Sequence, residues 1–208
     1  MPKLLRLLAI CVLALPLGAH AAFEEGRHYL EVPFPQPVAT GSRIEVREFF
    51  WYGCPHCHTL EPVLDRWLRT KPKNVEFVRT HWTIPSTSVQ AQAFYAFQDL
   101  GALDKLHGAF FRAIHAHGRR LDDEASIAQF VAEHGLDPAK FRAALTSFGV
   151  RLNVDKAKRL NDAYGINSVP TVVVDGKYIT SPAMAGGEEA MLKVVEELIQ
   201  KAAKARKR

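Results

Sequence analysis

Two cysteines separated by a Pro-His pair are the side chains of this sequence best suited to chemistry. They are Cys54 and Cys57, in the segment FWYGCPHCHTLEP at residues 49–61. Such a pair can be a redox couple, half of a zinc site or a structural disulfide. The structural disulfide is the weakest interpretation, because loop-closure entropy rises with loop length and a loop with only two intervening residues constrains the unfolded chain little.

A zinc site needs more ligands than this segment supplies. A tetrahedral structural site normally takes a second ligand pair from a distant part of the chain, and the only other cysteine is Cys11. Another histidine pair, His115 and His117, lies in a predicted helix end or loop, where solvated surface histidines are expected. We therefore predict no metal and no cofactor.

The position of the cysteines at a strand-to-helix junction favours a redox couple. RIEVREFFWY, at 43–52, predicts a buried strand, and helical spacing begins after it. The first turn of a helix offers free backbone N–H groups and a positive dipole end, which favour thiolate over thiol. Pro55 suits that turn, and His56 adds a donor and, when protonated, a positive charge. We expect a low pKa for Cys54, with Cys57 less exposed and able to attack a mixed disulfide formed at Cys54.

The first 21 residues have the pattern of a secretory signal peptide. A basic start with Lys3 and Arg6 precedes an apolar run and the small-residue sequence AHA, which ends at Ala21. The apolar run is shorter than the roughly 20 residues that span a bilayer. Cleavage after Ala21 would remove Cys11 and lower the formal net charge from +5 to +3. So small a positive excess is weak evidence for nucleic-acid binding, and we expect none.

The rest of the chain alternates between strand and helix patterns. A second strand is predicted at 74–83 and helices across 86–149, with Asp122 and Asp137 at helix N-cap positions. Another helix then leads into a hairpin that turns at Asp175-Gly176, and a final helix begins near residue 187. This order predicts an α/β sheet domain interrupted by a helical insertion.

These residues resemble the DsbA-type thiol:disulfide oxidoreductases of the bacterial periplasm. The resemblance rests on EFFWYGCPHC, on SVPTVVVDGKY and on the helical block between them, and it covers nearly all of the chain after the signal peptide. It implies a thioredoxin fold with an inserted all-helical subdomain. The implied organisation is a signal peptide at 1–21, thioredoxin-fold segments at 22–84 and 150–208, and the helical insertion at 85–149.

The resemblance also assigns roles to single residues. It implies that Cys54 is the exposed nucleophile and Cys57 the buried resolving thiol. Val169 and Pro170 are implied to form a cis-proline loop that offers its backbone to a bound peptide. Glu48 matches the buried acid of the family, a proton acceptor or a charge that tunes Cys57. The alternative for Glu48 is an ordinary paired carboxylate.

The resemblance implies an enzyme that gives its disulfide to newly exported, cysteine-containing proteins. A DsbB-type membrane protein would reoxidise it in the periplasm, and we expect a monomer. Three alternatives stay open: a thioredoxin-like reductant, an isomerase, and a chaperone that uses the aromatic-rich groove with the cysteines incidental. A single CPHC pair without a structural disulfide favours an enzyme over the chaperone.

Overall fold

A five-stranded mixed sheet forms the centre of the protein. The computed structural model describes residues 23–207, so the predicted signal peptide at 1–21 lies outside the described residues. The strand order is β1-β5-β4-β2-β3; β2 and β3 are parallel, and the other neighbours are antiparallel. The strands are β1 (Leu30–Glu31), β2 (Ile44–Phe50), β3 (Val75–His81), β4 (Thr171–Val174) and β5 (Tyr178–Thr180). Strand β2 is nearly all buried, as its apolar and aromatic residues predict.

Helices cover the sheet and form the block between β3 and β4. They are α1 (Pro55–Thr70), α2 (Ser88–Asp99), α3 (Leu103–His115), α4 (Glu124–Glu133), α5 (Pro138–Leu145), α6 (Phe148–Tyr164), α7 (Pro182–Ala185) and α8 (Glu188–Arg206). The short helix α7 was not predicted. The arrangement is the predicted α/β fold of thioredoxin type with an inserted helical block. Within residues 23–207, no helix is both long enough and apolar enough to span a membrane.

Local signals correctly placed the hairpin turn and one of the two predicted helix caps. The hairpin turn at Asp175 and Gly176 is confirmed, with φ of 54° and 68° at the two residues. Asp137 caps α5 as predicted. Asp122 was the wrong cap for α4, because the Asp123 carboxylate accepts the Ser126 N–H at 2.8 Å instead.

The buried side chains form two large clusters, a sheet core and a helical core. The sheet core lies between the sheet and helices α1 and α8, with Leu60 and Leu64 of α1 at its centre. The helical core joins α2 to α6 and also contains Phe50, Cys54 and Cys57. The dithiol therefore packs against the inserted helices and not within the sheet core.

Candidate active site

The two cysteines differ sharply in exposure. Cys54 is the residue before the first turn of α1, with an extended backbone (φ −85°, ψ 117°), and Pro55 occupies the first helical position. Both thiols are free. Cys54 retains 7% of its surface, whereas Cys57, within the first turn of α1, retains none. A reactant from solvent can therefore reach only the Cys54 sulfur.

The pKa values of the two thiols move in opposite directions. The hydrogen bond from the Cys57 side chain, helped by the backbone N–H groups of Cys57 and His56 and by the His56 charge, lowers the pKa of Cys54 to about 6 despite partial burial. Burial strongly raises the pKa of Cys57, and Cys54 and Glu48 raise it further. Near neutral pH the pair therefore holds one thiolate, on Cys54, and one proton, on Cys57.

The loop before β4 lies directly against Cys54. The Val169–Pro170 peptide bond is cis, and Cys54 Sγ lies 3.4 Å from the Val169 carbonyl oxygen, to which its protonated form donates. Beside this contact is an apolar pocket of about 270 Å³ lined by His56, Ser168, Val169, Pro170, Ser181, Pro182 and Ala183. The fold thus brings together four of the predicted site residues: Cys54, His56, Val169 and Pro170. Cys54 and Val169, which are in contact, are 115 residues apart in the sequence.

Glu48 lies on the buried face of β2, with none of its surface exposed. Its Oε2 accepts a hydrogen bond from Arg79 Nε at 3.0 Å, while Oε1 has no hydrogen-bond partner among residues 23–207. Burial raises the pKa of Glu48 to about 8, against the lowering effect of Arg79. Glu48 is therefore mostly protonated near neutral pH.

Four residues of this buried polar cluster were not predicted from the sequence. Arg79 lies directly across from Glu48 in the β2–β3 register, and its Nη2 contacts both carboxylate oxygens of Glu61, at 3.2 and 3.3 Å. His107 Nδ1 lies 2.9 Å from the Tyr52 hydroxyl. Glu61 could have been found, since it follows Cys57 by four residues and so lies on the same helix face. His107 comes from α3, and no local pattern connects it to the CPHC segment.

A second histidine contact links α3 to the active-site loop. The rings of His58 and His115 stack at 4.9 Å with an interplanar angle of 13°, and His115 Nε2 donates to the Tyr52 carbonyl oxygen at 2.8 Å. Burial and the neighbouring His115 lower the pKa of His58. The prediction of a solvated surface histidine was therefore wrong for His115, although His117 is exposed. Across residues 23–207, no group of three potential metal ligands comes together.

A thioredoxin-type sheet, a dithiol at the start of α1 and a proline loop against the exposed thiol define the class of thiol:disulfide oxidoreductases. The model of the DSBA-like thioredoxin domain family matches residues 45–199. The chain therefore belongs to the DSBA-like thioredoxin domain family and is a protein disulfide oxidoreductase.

Curated relatives and solved structures agree with this assignment. Thiol:disulfide interchange protein DsbA of Azotobacter vinelandii is 41% identical over 176 residues, which cover 84% of this chain and 82% of the relative. The crystal structure of Pseudomonas aeruginosa DsbA matches with a TM-score of 0.85 and 38% identity, over 89% of this chain and 97% of that chain. The structure of DsbA from Xylella fastidiosa matches with a TM-score of 0.81 and 27% identity, over 86% and 97%.

Proposed function

We propose that the protein oxidises cysteine pairs of exported proteins by donating a Cys54–Cys57 disulfide through a mixed disulfide at Cys54. The observation that carries this proposal is the asymmetry of the pair. Cys54 is reachable and has a low pKa, whereas Cys57 is fully buried and has a raised pKa. A low-pKa thiol is a good leaving group, so a mixed disulfide at Cys54 readily passes its oxidation on.

The transfer takes two displacement steps. A substrate thiolate attacks Cys54 Sγ, the Cys54–Cys57 bond breaks, and Cys57 leaves with the electron pair and takes up a proton. The second substrate thiolate then attacks the substrate sulfur of the mixed disulfide, and Cys54 leaves as a thiolate. The substrate loses two electrons in forming its disulfide, and the enzyme gains them as its dithiol.

The Val169–Pro170 loop and the apolar pocket beside His56 are the proposed substrate-binding surface. A peptide that lies along the loop can pair with its backbone as an added strand. The contact between the Val169 carbonyl and Cys54 would then bring the peptide cysteine close to the reactive sulfur. The pocket of about 270 Å³ is mostly apolar and suits a hydrophobic side chain next to that cysteine.

The proposed site of action is the periplasm, reached through the signal peptide predicted at 1–21. There a DsbB-type membrane oxidase would return the reduced dithiol to the disulfide. The Cys54 thiolate would attack the disulfide of the oxidase, and one oxidase sulfur would leave as a thiolate. Cys57 would then lose its proton and attack Cys54 Sγ, which releases the second oxidase sulfur and closes the Cys54–Cys57 bond. The protein is proposed to act as a monomer.

The test compares Cys54→Ser and Cys57→Ser with the parent protein. The oxidised parent should form the disulfide of a two-cysteine model peptide, and both variants should lose this activity. Cys57→Ser should instead trap a mixed disulfide when it meets an oxidised peptide, because Cys54 can still attack and no resolving thiol remains. If Cys54→Ser kept the full activity of the parent in preventing aggregation of an unfolded protein and the parent oxidised no peptide, the chaperone alternative would replace this proposal.

The equilibrium with glutathione separates an oxidase from a reductant. A dithiol that stays reduced until the buffer is strongly oxidising gives its disulfide away readily. A dithiol already oxidised in mildly reducing glutathione holds a disulfide too stable to donate, which is the behaviour expected of the thioredoxin-like alternative.

A further inference from the structure

A chain of polar side chains connects the inserted helices to the buried acid near Cys57. The Tyr52 hydroxyl lies 2.9 Å from His107 Nδ1, and His107 Nε2 lies 3.3 Å from Glu61 Oε2, within ion-pair distance but outside hydrogen-bonding geometry. Glu61 contacts Arg79, which also binds Glu48. His107 is 6% exposed, so α3 contributes an almost fully buried imidazole to this cluster.

The contacts of His107 determine which ring nitrogen carries the proton. Burial raises the pKa of Tyr52, so its hydroxyl keeps its proton and donates to Nδ1. The imidazole proton is then on Nε2, which faces the Glu61 carboxylate. The opposite tautomer would place a lone pair against that carboxylate and is disfavoured.

One guanidinium is shared by two carboxyl groups, and their surroundings differ. Glu61 contacts Arg79 through both oxygens, has the His107 N–H beside it and lines a cavity of about 350 Å³. That cavity reaches the exposed residues Asp65 and Asp104, so water can solvate Glu61. Glu48 receives a single N–H, from Arg79, and is fully buried. A single negative charge is therefore more stable on Glu61 than on Glu48.

We propose that His107 is a positioning residue for the dithiol reaction: it holds this negative charge on Glu61, so that Glu48 keeps a proton near Cys57. The inference rests on the proposed function, in which Cys57 must take up a proton when it leaves the disulfide. A protonated Glu48 supplies or passes that proton, whereas an ionised Glu48 would place a second negative charge near the departing thiolate.

The direction of the ionisations agrees with this assignment. Among the causes that act on Glu61, His107 and Arg79 lower its pKa against burial, and the Glu61 charge in turn raises the pKa of Glu48. Burial lowers the pKa of His107 itself, so the ring is neutral near pH 7 and stabilises the Glu61 carboxylate through the dipole of its Nε2–H group. The titratable and charged groups that act on this ring are Tyr52, Glu61, Asp65, Arg79 and His81.

The test measures the ionisation of Glu48 directly, by NMR titration of carboxyl-¹³C glutamate, with Glu48→Gln to assign the signal. His107→Phe keeps an aromatic ring and removes the N–H, whereas the amide of His107→Gln can reach the Nε2 position. Glu48 should titrate near pH 8 in the parent protein. The midpoint should fall by roughly one pH unit in His107→Phe and return toward the parent value in His107→Gln.

A kinetic readout distinguishes positioning from a structural effect. The rate at which a model dithiol reduces the Cys54–Cys57 disulfide is compared between His107→Phe and the parent at each pH. The ratio of the two rates should lie below one at neutral pH and return toward one as the buffer becomes more acidic. His134→Phe is the matched control and should leave both readouts unchanged. His134 lies at the C-terminal end of α4, where its Nδ1 donates to the Phe130 carbonyl and its ring packs on the Phe130 ring.

The outcomes separate this inference from the proposed function. An unchanged Glu48 midpoint in folded His107→Phe overturns the inference, whatever the oxidase assay shows. A shifted midpoint in a protein that oxidises no peptide supports the charge arrangement and refutes only the proposed function. If His107→Phe does not fold, His107→Asn takes its place, because its shorter amide reaches the Nδ1 position and not Glu61; equal midpoints in the Asn and Gln variants would then overturn the inference.

Discussion

The low pKa of Cys54 predicts how the reduction potential of the protein changes with pH. A thiol with a pKa of about 6 is about 90% ionised at pH 7, whereas the ordinary value of 9.0 leaves about 1% ionised. Ionisation therefore favours the reduced protein about tenfold at pH 7, or about 1.4 kcal/mol. For this two-electron couple the same factor raises the potential by about 30 mV.

The stabilisation of the reduced form depends on pH with a definite sign. Because the folded-state pKa is depressed, the effect is complete above the ordinary thiol pKa and is lost as the pH falls through about 6. Its upper limit is about 4 kcal/mol, and water near the partly accessible sulfur reduces that figure. At neutral pH only about a third of the limit is realised, so the Cys54 thiolate alone accounts for a modest part of any strongly oxidising potential.

The assay is the equilibrium of the dithiol with a thiol buffer across the pH range. Below about pH 6, reduction takes up two protons and the potential should fall by about 59 mV per pH unit; above it Cys54 stays ionised and the slope should be about 30 mV. Alkylation of Cys54 by iodoacetamide in Cys57→Ser and Cys57→Ala checks the cause. The Ala variant lacks the side-chain donor and should show the higher Cys54 pKa. A single slope of about 59 mV up to pH 8 would refute the reasoning.

Three further predictions concern the stability of the folded protein. Asp123→Ala should lower the free energy of unfolding by about 1 kcal/mol through loss of the α4 cap, while Asp122→Ala should stay within about 0.5 kcal/mol in urea titrations. Gly176→Ala should cost more than about 1 kcal/mol in the same assay, because its φ is 68° and a Cβ would overlap the Gln36 carbonyl oxygen. The raised pKa of Glu48 contributes stability that is fully present below the ordinary pKa of 4.5 and is lost as the pH rises through about 8. Glu48→Gln should therefore gain stability relative to the parent between about pH 5 and 8, measured by denaturant midpoints at each pH.

The parts of the fold that the sequence predicted are those with strong local signals. The buried run of β2, the Asp175-Gly176 turn and the N-cap at Asp137 each use a pattern contained within a few residues. The choice between Asp122 and Asp123 was beyond such patterns, because either carboxylate can begin a helix at that point. Helix α7 has only four residues and lacks the periodicity by which a helix is recognised.

The residues of the site also divide into those that a local pattern predicts and those that depend on long-range contacts. Cys54, Pro55 and Cys57 lie in one short segment, so spacing alone indicated their chemistry. The Val169–Pro170 loop was identified only through resemblance, since a proline before a strand has an ordinary structural explanation. Arg79 and His107 reach the cluster from β3 and α3, and their contribution depends on strand register and helix packing. Such long-range contacts leave no periodic trace in the sequence.

Cys54 and Cys57 belong to the helical core, so the inserted helices cannot be removed without changing the surroundings of both thiols. A minimal protein made by deleting residues 85–149 would keep all five strands, yet it would uncover Phe50 and the buried side of Cys57. A newly wetted Cys57 would lose the burial that raises its pKa, and the two thiols would become more alike. The helical block is thus a condition of the inequality between the cysteines, and it cannot be exchanged as an independent module.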